Sequence, residues 1–348
     1  MFKSFSPTII VARKKQFKPA IISDKDGIRF ATPEPVAKYR AQRLKCNTIA
    51  DISCGIGGQA IYFAEECESV YAIEIDSKKI AYAKKNCKTL GIDNIEFICG
   101  DALSEEVIEQ LPQLDIVFSD PARPPNEKIR DINSLKPPIP EVINAYGSRS
   151  SNFAFEASPQ IMPDRVPFDC EKEYLSLDGK LNRLNLYFGD IKKCDVSAIA
   201  LPENAKIEMQ GKMTEPKITE NIASYAYEVE ESVERANLLG QMANDMMSKA
   251  PDIQLFVVDK KRSFLTSDKQ IDVPLIKNRY KVLLNTEVDY DQINKYLKQN
   301  GFGTVILRAP IDPEDYWNVR NELETGLKGD RKAHIFLKEN MAILCEPL

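Results

Sequence analysis

Thr48-Ile49-Ala50-Asp51-Ile52, then Ser53-Cys54-Gly55-Ile56-Gly57-Gly58, then Gln59-Ala60-Ile61-Tyr62-Phe63 is a short apolar strand, a glycine turn and the opening of a helix. Glycines between a strand and a helix let the backbone approach a ligand closely. The same unit recurs outward from this stretch: Val70–Ile75 then Ser77–Leu90, Ile95–Cys99 then Ser104–Leu111, and finally Asp115–Ser119. Short apolar strands alternating with helices predict an α/β fold built on a mostly parallel sheet. The helix after Asp76 shows its period in Ile80, Ala83, Cys87 and Leu90, with Lys78, Lys79, Lys85 and Lys88 mostly elsewhere and Gly91 as its stop. Upstream, Thr32 is the expected cap of a helix that tolerates Pro33 in its first turn and runs over Val36–Lys45.

Downstream of Asp120 the chain turns proline-rich (Pro121, Pro124, Pro125, Pro137, Pro138, Pro140), which predicts an active-site loop up to Val142. Phe153–Ala157 reads as a strand, and Glu173–Leu177, the turn Asp178-Gly179 and Leu184–Phe188 read as a hairpin. This terminal antiparallel pair is expected to close the sheet. A polar stretch at Gln210–Lys217 marks a boundary, giving an N-terminal segment and leading helix over 1–46, a first domain over 47–209 and a smaller α/β domain over 218–348. In the last of these Ser232–Met247 reads as a helix. It is followed by strand (Tyr280–Leu284), helix (Tyr290–Gln299), strand (Thr304–Leu307), helix (Pro313–Leu327) and two strands (Ala333–Leu337, Met341–Leu344).

A chain of 348 residues has room for two domains, and 43% apolar against 28% charged residues excludes disordered, collagen-like and coiled-coil classes. Lys plus Arg is 47 against Asp plus Glu 52, so nucleic acid would have to be bound through a local basic patch and not through a general basic coat. Such cations are Arg262, Lys277, Arg279, Lys328, Arg331 and Lys332, together with a run at Arg13, Lys14, Lys15 and Lys18. No apolar run approaches the ~18 residues of a membrane span, so no membrane partner is expected. Eight cysteines without a CxxC pair, and the single histidine His334 inside an apolar segment, argue against a metal site and for a reducing, cytoplasmic setting.

Four strand ends carry the chemistry: the glycine turn after Asp51, Glu74 closing the second strand, Asp101 closing the third and Asp120-Pro121-Ala122-Arg123 closing the fourth. In a parallel sheet these converge on one crevice. The G-x-G-x-x-A pattern by itself also fits a dinucleotide. Glu74, about 20 residues after the glycines, suits the ribose hydroxyls of either a nicotinamide cofactor or S-adenosylmethionine, and Asp101 suits an adenine amino group. Asp51 separates the two: a carboxylate at that position repels a pyrophosphate and attracts the ammonium of a methionine moiety. S-adenosylmethionine is therefore the expected cofactor.

The stretch from about Asp24 to Pro125 resembles class I S-adenosylmethionine-dependent methyltransferases, and among them the trimethylguanosine synthase type of RNA methyltransferase. Phe30-Ala31-Thr32-Pro33-Glu34, Cys54-Gly55-Ile56-Gly57-Gly58, Ala72-Ile73-Glu74-Ile75-Asp76 and Phe97-Ile98-Cys99-Gly100-Asp101 carry the resemblance. The rest is similar to prokaryotic methyltransferases with a THUMP-like C-terminal domain, through Phe155-Glu156-Ala157-Ser158-Pro159, Tyr225-Ala226-Tyr227-Glu228 and Ser232-Val233-Glu234-Arg235-Ala236. The resemblance implies a Rossmann-like sheet, RNA (tRNA or rRNA) as substrate, and a cofactor site lined by Thr32, Asp51, Gly55, Gly57, Glu74 and Asp101. Their neighbours Ser53, Ile75 and Ala102 are counted with them.

The fourth strand departs from the pattern. Trimethylguanosine synthases place Ser-Pro-Pro-Trp there and stack a methylated cap base on the tryptophan, whereas this chain has Asp120-Pro121-Ala122-Arg123 and its only tryptophan is Trp317. Relatives that methylate amines use an Asp-Pro-Pro-aromatic variant. By that resemblance Asp120 and Pro121 orient an exocyclic amine, while Arg123 stacks on a base or grips a phosphate. Carbon-5 pyrimidine methylation needs a cysteine nucleophile, and neither Cys170 nor Cys194 lies in a nucleophile motif. A small-molecule methyltransferase, and an RNA-binding protein with a degenerate site, remain the competing readings.

Overall fold

The computed structural model describes residues 22–23, 32–122 and 129–348. Among them the chain divides into two units: residues up to Asn204 with Glu208–Gly211, and Ala205–Ile207 with Lys212–Leu348.

The first unit is a nine-stranded sheet with helices. In chain order it contains α1 (Glu34–Arg43), β1 (Thr48–Asp51), α2 (Ala60–Glu66), β2 (Ser69–Glu74), α3 (Ser77–Leu90), β3 (Ile95–Cys99), α4 (Glu105–Ile108) and β4 (Ile116–Ser119). After the proline-rich loop come α5 (Ile139–Tyr146), β5 (Phe153–Ala157), β6 (Glu171–Leu177), β7 (Lys180–Phe188), β8 (Val196–Leu201) and β9 (Ala205–Met209), whose first three residues fall to the second unit. The strand order is β3-β2-β1-β4-β5-β7-β6-β8-β9. Strands β1 to β5 pair in parallel, and β7 runs antiparallel to both β5 and β6. The expected parallel α/β sheet is therefore present.

Local chemistry accounts for the well-placed elements. Asp76 caps α3 by accepting from Lys78 N at 2.8 Å, Gly91 ends it at φ +70°, and Ile80, Ala83 and Cys87 are buried. Asp178 and Gly179 both have positive φ (52° and 72°), as a two-residue hairpin turn requires.

Three expectations are corrected. Thr32 does not cap α1: the N-cap is Pro33, with no side-chain bond, and the helix stops at Arg43 instead of Lys45. The hairpin β6–β7 does not close the sheet, because β8 pairs in parallel with β6 and β9 follows it; β8 is the continuously buried run Val-Ser-Ala-Ile-Ala-Leu. Helix α5 begins at Ile139, three residues before Val142, since prolines are tolerated in a first helical turn.

The second unit holds an eight-stranded sheet of order β10-β12-β13-β11-β14-β17-β16-β15. Its strands are β10 (Ile218–Thr219), β11 (Tyr225–Val229), β12 (Gln254–Asp259), β13 (Arg262–Ser267), β14 (Ile276–Glu287), β15 (Phe302–Arg308), β16 (Arg331–Lys338) and β17 (Met341–Pro347). Its helices are α6 (Glu231–Arg235), α7 (Leu239–Met247), α8 (Tyr290–Gln299) and α9 (Pro313–Glu324). The single helix expected over Ser232–Met247 is two, broken at Asn237 with φ +59°. Four of the cations proposed as a basic patch are ion-paired: Arg262 with Asp259, Lys277 with Glu231, Arg279 with Asp272 and Arg331 with Glu346. His334 is buried on β16, its ring 5.1 Å from that of Tyr280, and burial lowers its pKa. No helix among the described residues is long and apolar enough to cross a membrane.

Candidate active site

Because β3, β2, β1 and β4 are parallel neighbours, Asp101, Glu74, Asp51 and Asp120 sit at or just beyond the same edge of the sheet. Asp51 is the register partner of Ala72 on one side and Phe118 on the other, and Glu74 is the partner of Cys99.

The glycine turn is anchored to both flanking strands. Ile52 N donates to Phe118 O at 2.9 Å and Cys54 N to Ile73 O at 3.0 Å. Gly55 N donates to Glu74 Oε2 and Asp76 N to Glu74 Oε1, each at 3.0 Å. Glu74 thus spans the turn and its own strand end, and its carboxylate oxygens retain lone pairs for a further donor. Gly55 has φ +55° with open space where a Cβ would stand, so the turn presents bare backbone there. At Gly57 the φ is +85° and a Cβ would lie 3.2 Å from the Cβ of Ala83, which fits helix α3 closely against the turn. Ile75, next to Glu74, is 70% exposed and offers an apolar surface at the crevice.

Asp51 is buried and accepts from Ser53 N at 3.2 Å. Burial above all, helped by Asp120 and Glu74 and opposed by the Ser53 N–H and Arg40, pushes its pKa up to about 7. Near neutral pH this carboxyl is therefore poised between its two forms. Ser53 also accepts from Asp120 N at 2.7 Å, which ties the start of the fourth-strand loop to the glycine turn. Asp101 is exposed and accepts from Leu103 N at 3.0 Å, and Ala102 O accepts from Tyr146 OH at 2.6 Å.

Pro121 is buried, and Ala122 forms an antiparallel bridge with Lys136 that draws the ends of the proline-rich segment together. Thr32 is buried just before α1. Arg123, the third proposed acceptor residue, lies outside the described residues, as do Phe30 and Ala31. The arrangement brings together Asp51, Ser53, Gly55, Glu74 and Asp120; Asp101 and Ala102 stand at the next strand end. Among the described residues no group of His, Cys, Asp or Glu is placed to hold a metal ion.

Sequence reading missed a buried ionic layer beside this edge. Arg40 of α1 is 1% exposed, donating to Gln59 Oε1 and Asn185 Oδ1 at 3.0 Å each and pairing with Glu156 Oε2. Glu156 also pairs with Arg183, Arg43 pairs with Glu171, and Glu173 accepts from Tyr39, Asn185 and Tyr187. The available signal was Glu156 itself, a single acid in the otherwise apolar strand Phe-Ala-Phe-Glu-Ala.

The family described as RNA cap guanine-N2 methyltransferase matches residues 46–127. A Mycobacterium tuberculosis protein described as an S-adenosylmethionine-dependent methyltransferase is 25% identical over 166 residues, 47% of this chain and 44% of that protein. A 23S rRNA uracil-C5 methyltransferase of Photorhabdus laumondii is 38% identical over 77 residues, 22% of this chain and 20% of the relative. The chain thus spans less than half the length of these curated relatives. A crystal structure from Porphyromonas gingivalis W83, of a protein assigned as a methyltransferase, superposes with a TM-score of 0.75 at 14% identity, covering 94% of this chain and 84% of that one. The fold is shared with that protein over nearly the whole chain.

Proposed function

We propose that this chain is an S-adenosylmethionine-dependent methyltransferase that acts on an exocyclic amine of a base in structured RNA, tRNA or rRNA, with the second unit binding the RNA. The observation that carries the reading is the buried Asp51 beside a glycine turn whose Gly55 N–H is held by Glu74. A pyrophosphate would meet a buried carboxylate there, whereas the ammonium of a methionine moiety finds its counter-charge. In this reading Asp51 holds the ammonium, Glu74 the ribose hydroxyls, Ile75 the face of the adenine and Asp101 its amino group. The cofactor supplies the methyl group on a sulfonium.

Methyl transfer from a sulfonium is an in-line displacement that disperses positive charge, so the protein's task is alignment and exclusion of water. Asp120, fixed through its backbone N–H to Ser53, would accept hydrogen bonds from the acceptor amine and aim its lone pair. The RNA-methylating relatives and the guanine-N2 family support an RNA acceptor. Carbon-5 chemistry is disfavoured by burial: Cys170 and Cys194 are buried, and burial pushes the Cys170 thiol up to about 12, so no thiolate is available there at neutral pH. One observation favours a small-molecule acceptor instead, namely the ion pairing of Arg262, Lys277, Arg279 and Arg331, which compensates their charge.

The test is transfer of tritiated methyl from S-adenosylmethionine to total RNA taken from cells lacking this protein, followed by nucleoside analysis. Label in an N-methylated purine is expected. Label in 5-methyluridine would move the reaction to carbon 5, and label only in the small-molecule fraction would overturn the RNA reading.

A further inference from the structure

Asp51, Asp120 and Glu74 crowd three carboxylates around one turn, yet the reading above needs Asp51 charged to hold an ammonium and Asp120 charged to receive an amine. A buried carboxylate such as Asp51, with acidic neighbours, ionises more readily when a cation is near. Arg40 of α1 supplies one. Its guanidinium lies 4.9 Å from the ring centroid of Phe118, the residue that faces Asp51 in the β1–β4 register and precedes Ser119-Asp120. The same group donates to Gln59, the residue that enters α2 from the glycine turn. A third contact, the ion pair with Glu156, holds it at the end of β5.

We propose that Arg40 is a positioning residue for the methyl-transfer site, a buried counter-cation that favours the ionised form of Asp51 and locks the glycine turn against the acceptor strand. The proposal rests on the function inferred above. The charges that act on Asp51 come from three sides: Asp120 beyond β4 and Glu74 at the end of β2 disfavour its ionisation, and Arg40 from α1 favours it. Arg40 in turn is held protonated by Glu156 first among charges, and by Asp120. Glu156 also pairs through its other oxygen with Arg183, so one carboxylate lies between two guanidinium groups.

The test uses the full chain without cofactor. Carbon-13 carboxyl NMR follows Asp51 in wild type, in Glu156→Gln, and in Arg40→Gln with Glu156→Gln. The double variant removes both charges of a buried pair while keeping amide hydrogen-bonding groups, a change folded proteins commonly tolerate. The Asp51 midpoint is expected to rise by about one pH unit or more in the double variant, and to stay or fall in Glu156→Gln alone. A folded double variant with the wild-type midpoint overturns the proposal. Where the double variant does not fold, Arg40→Lys decides: its retained charge should hold the midpoint within about half a unit of wild type, and a rise of a full unit overturns the proposal.

A second readout excludes a purely structural role. Calorimetry with S-adenosylhomocysteine should show the double variant about tenfold weaker at pH 7, recovering as the pH is raised; a packing defect would not recover. The two ideas fail separately. Wild-type protein that binds no S-adenosylhomocysteine overturns the proposed function, whereas an unmoved Asp51 titration in the folded double variant overturns only the role of Arg40.

Discussion

Glu74 accepts two backbone N–H groups across the turn and is assigned the ribose hydroxyls. Glu74→Ala should weaken S-adenosylmethionine binding by about 1–3 kcal/mol through lost charge-assisted hydrogen bonds, read by calorimetry. Asp120→Ala should lower turnover by more than tenfold, about 1.4 kcal/mol, while cofactor affinity stays near wild type; wild-type turnover on a verified substrate would remove Asp120 from the mechanism. Asp51 makes a prediction of definite sign. Its folded pKa, about 7, is above the ordinary 3.8, so between those values the native state keeps a proton that the unfolded chain has lost. Its contribution to stability is full below the unfolded value, declines as pH rises towards 7 and is flat above. Denaturation curves from pH 5 to 8 should show a smaller decline in Asp51→Asn than in wild type. Binding of the cofactor's ammonium favours the ionised form, so calorimetry in buffers of different ionisation enthalpy should detect proton release at pH 6 that vanishes by pH 8.

The turn between β1 and α2 meets two different demands through its two positive-φ glycines. Gly57→Ala should cost about 1–2 kcal/mol of stability from the left-handed backbone alone, increased by the 3.2 Å approach to Ala83. Gly55→Ala meets open space, so beyond the same backbone strain its effect should fall on cofactor affinity. Helix α1 is held to the sheet differently. The Arg43–Glu171 pair is buried at both ends, with Glu171 also accepting from Ser197 and Lys193 N. Arg43→Met should destabilise by about 3–5 kcal/mol, because it removes the counter-charge of a buried carboxylate, and adding Glu171→Gln should recover much of that loss in urea titrations. Equal stability of the single and double variants would show that Glu171 is satisfied without Arg43.

At the scale of the whole molecule, a net charge of -5 means that RNA binding must draw on local cations. Each phosphate contact contributes roughly 0.7–0.9 to the slope of log affinity against log salt. Glu346→Gln, which releases Arg331 from its ion pair, should therefore steepen that slope by about one contact if the second unit receives RNA, and an unchanged slope would place Arg331 off the RNA path. The sequence alone determined the alternation of strands and helices, the glycine turn, and the acids at the strand ends, because apolar period, turn residues and caps are decided within a few positions of the chain. That is why α3, β3, β5 and α8 are legible to the residue. It could not show that β8 and β9 continue the sheet beyond the hairpin, since pairing β6 with β8 is a choice among edges and not a property of either strand. Nor could it show the buried ionic layer, for an arginine or glutamate read singly belongs to the surface. Only the tertiary structure decided that Arg40 is buried against Asn185, 145 residues away, that four of the second unit's cations are paired with acids, and that Asp51 is desolvated. Each of these depends on charges brought together from distant parts of the chain, and desolvation by the packed sheet sets their strength.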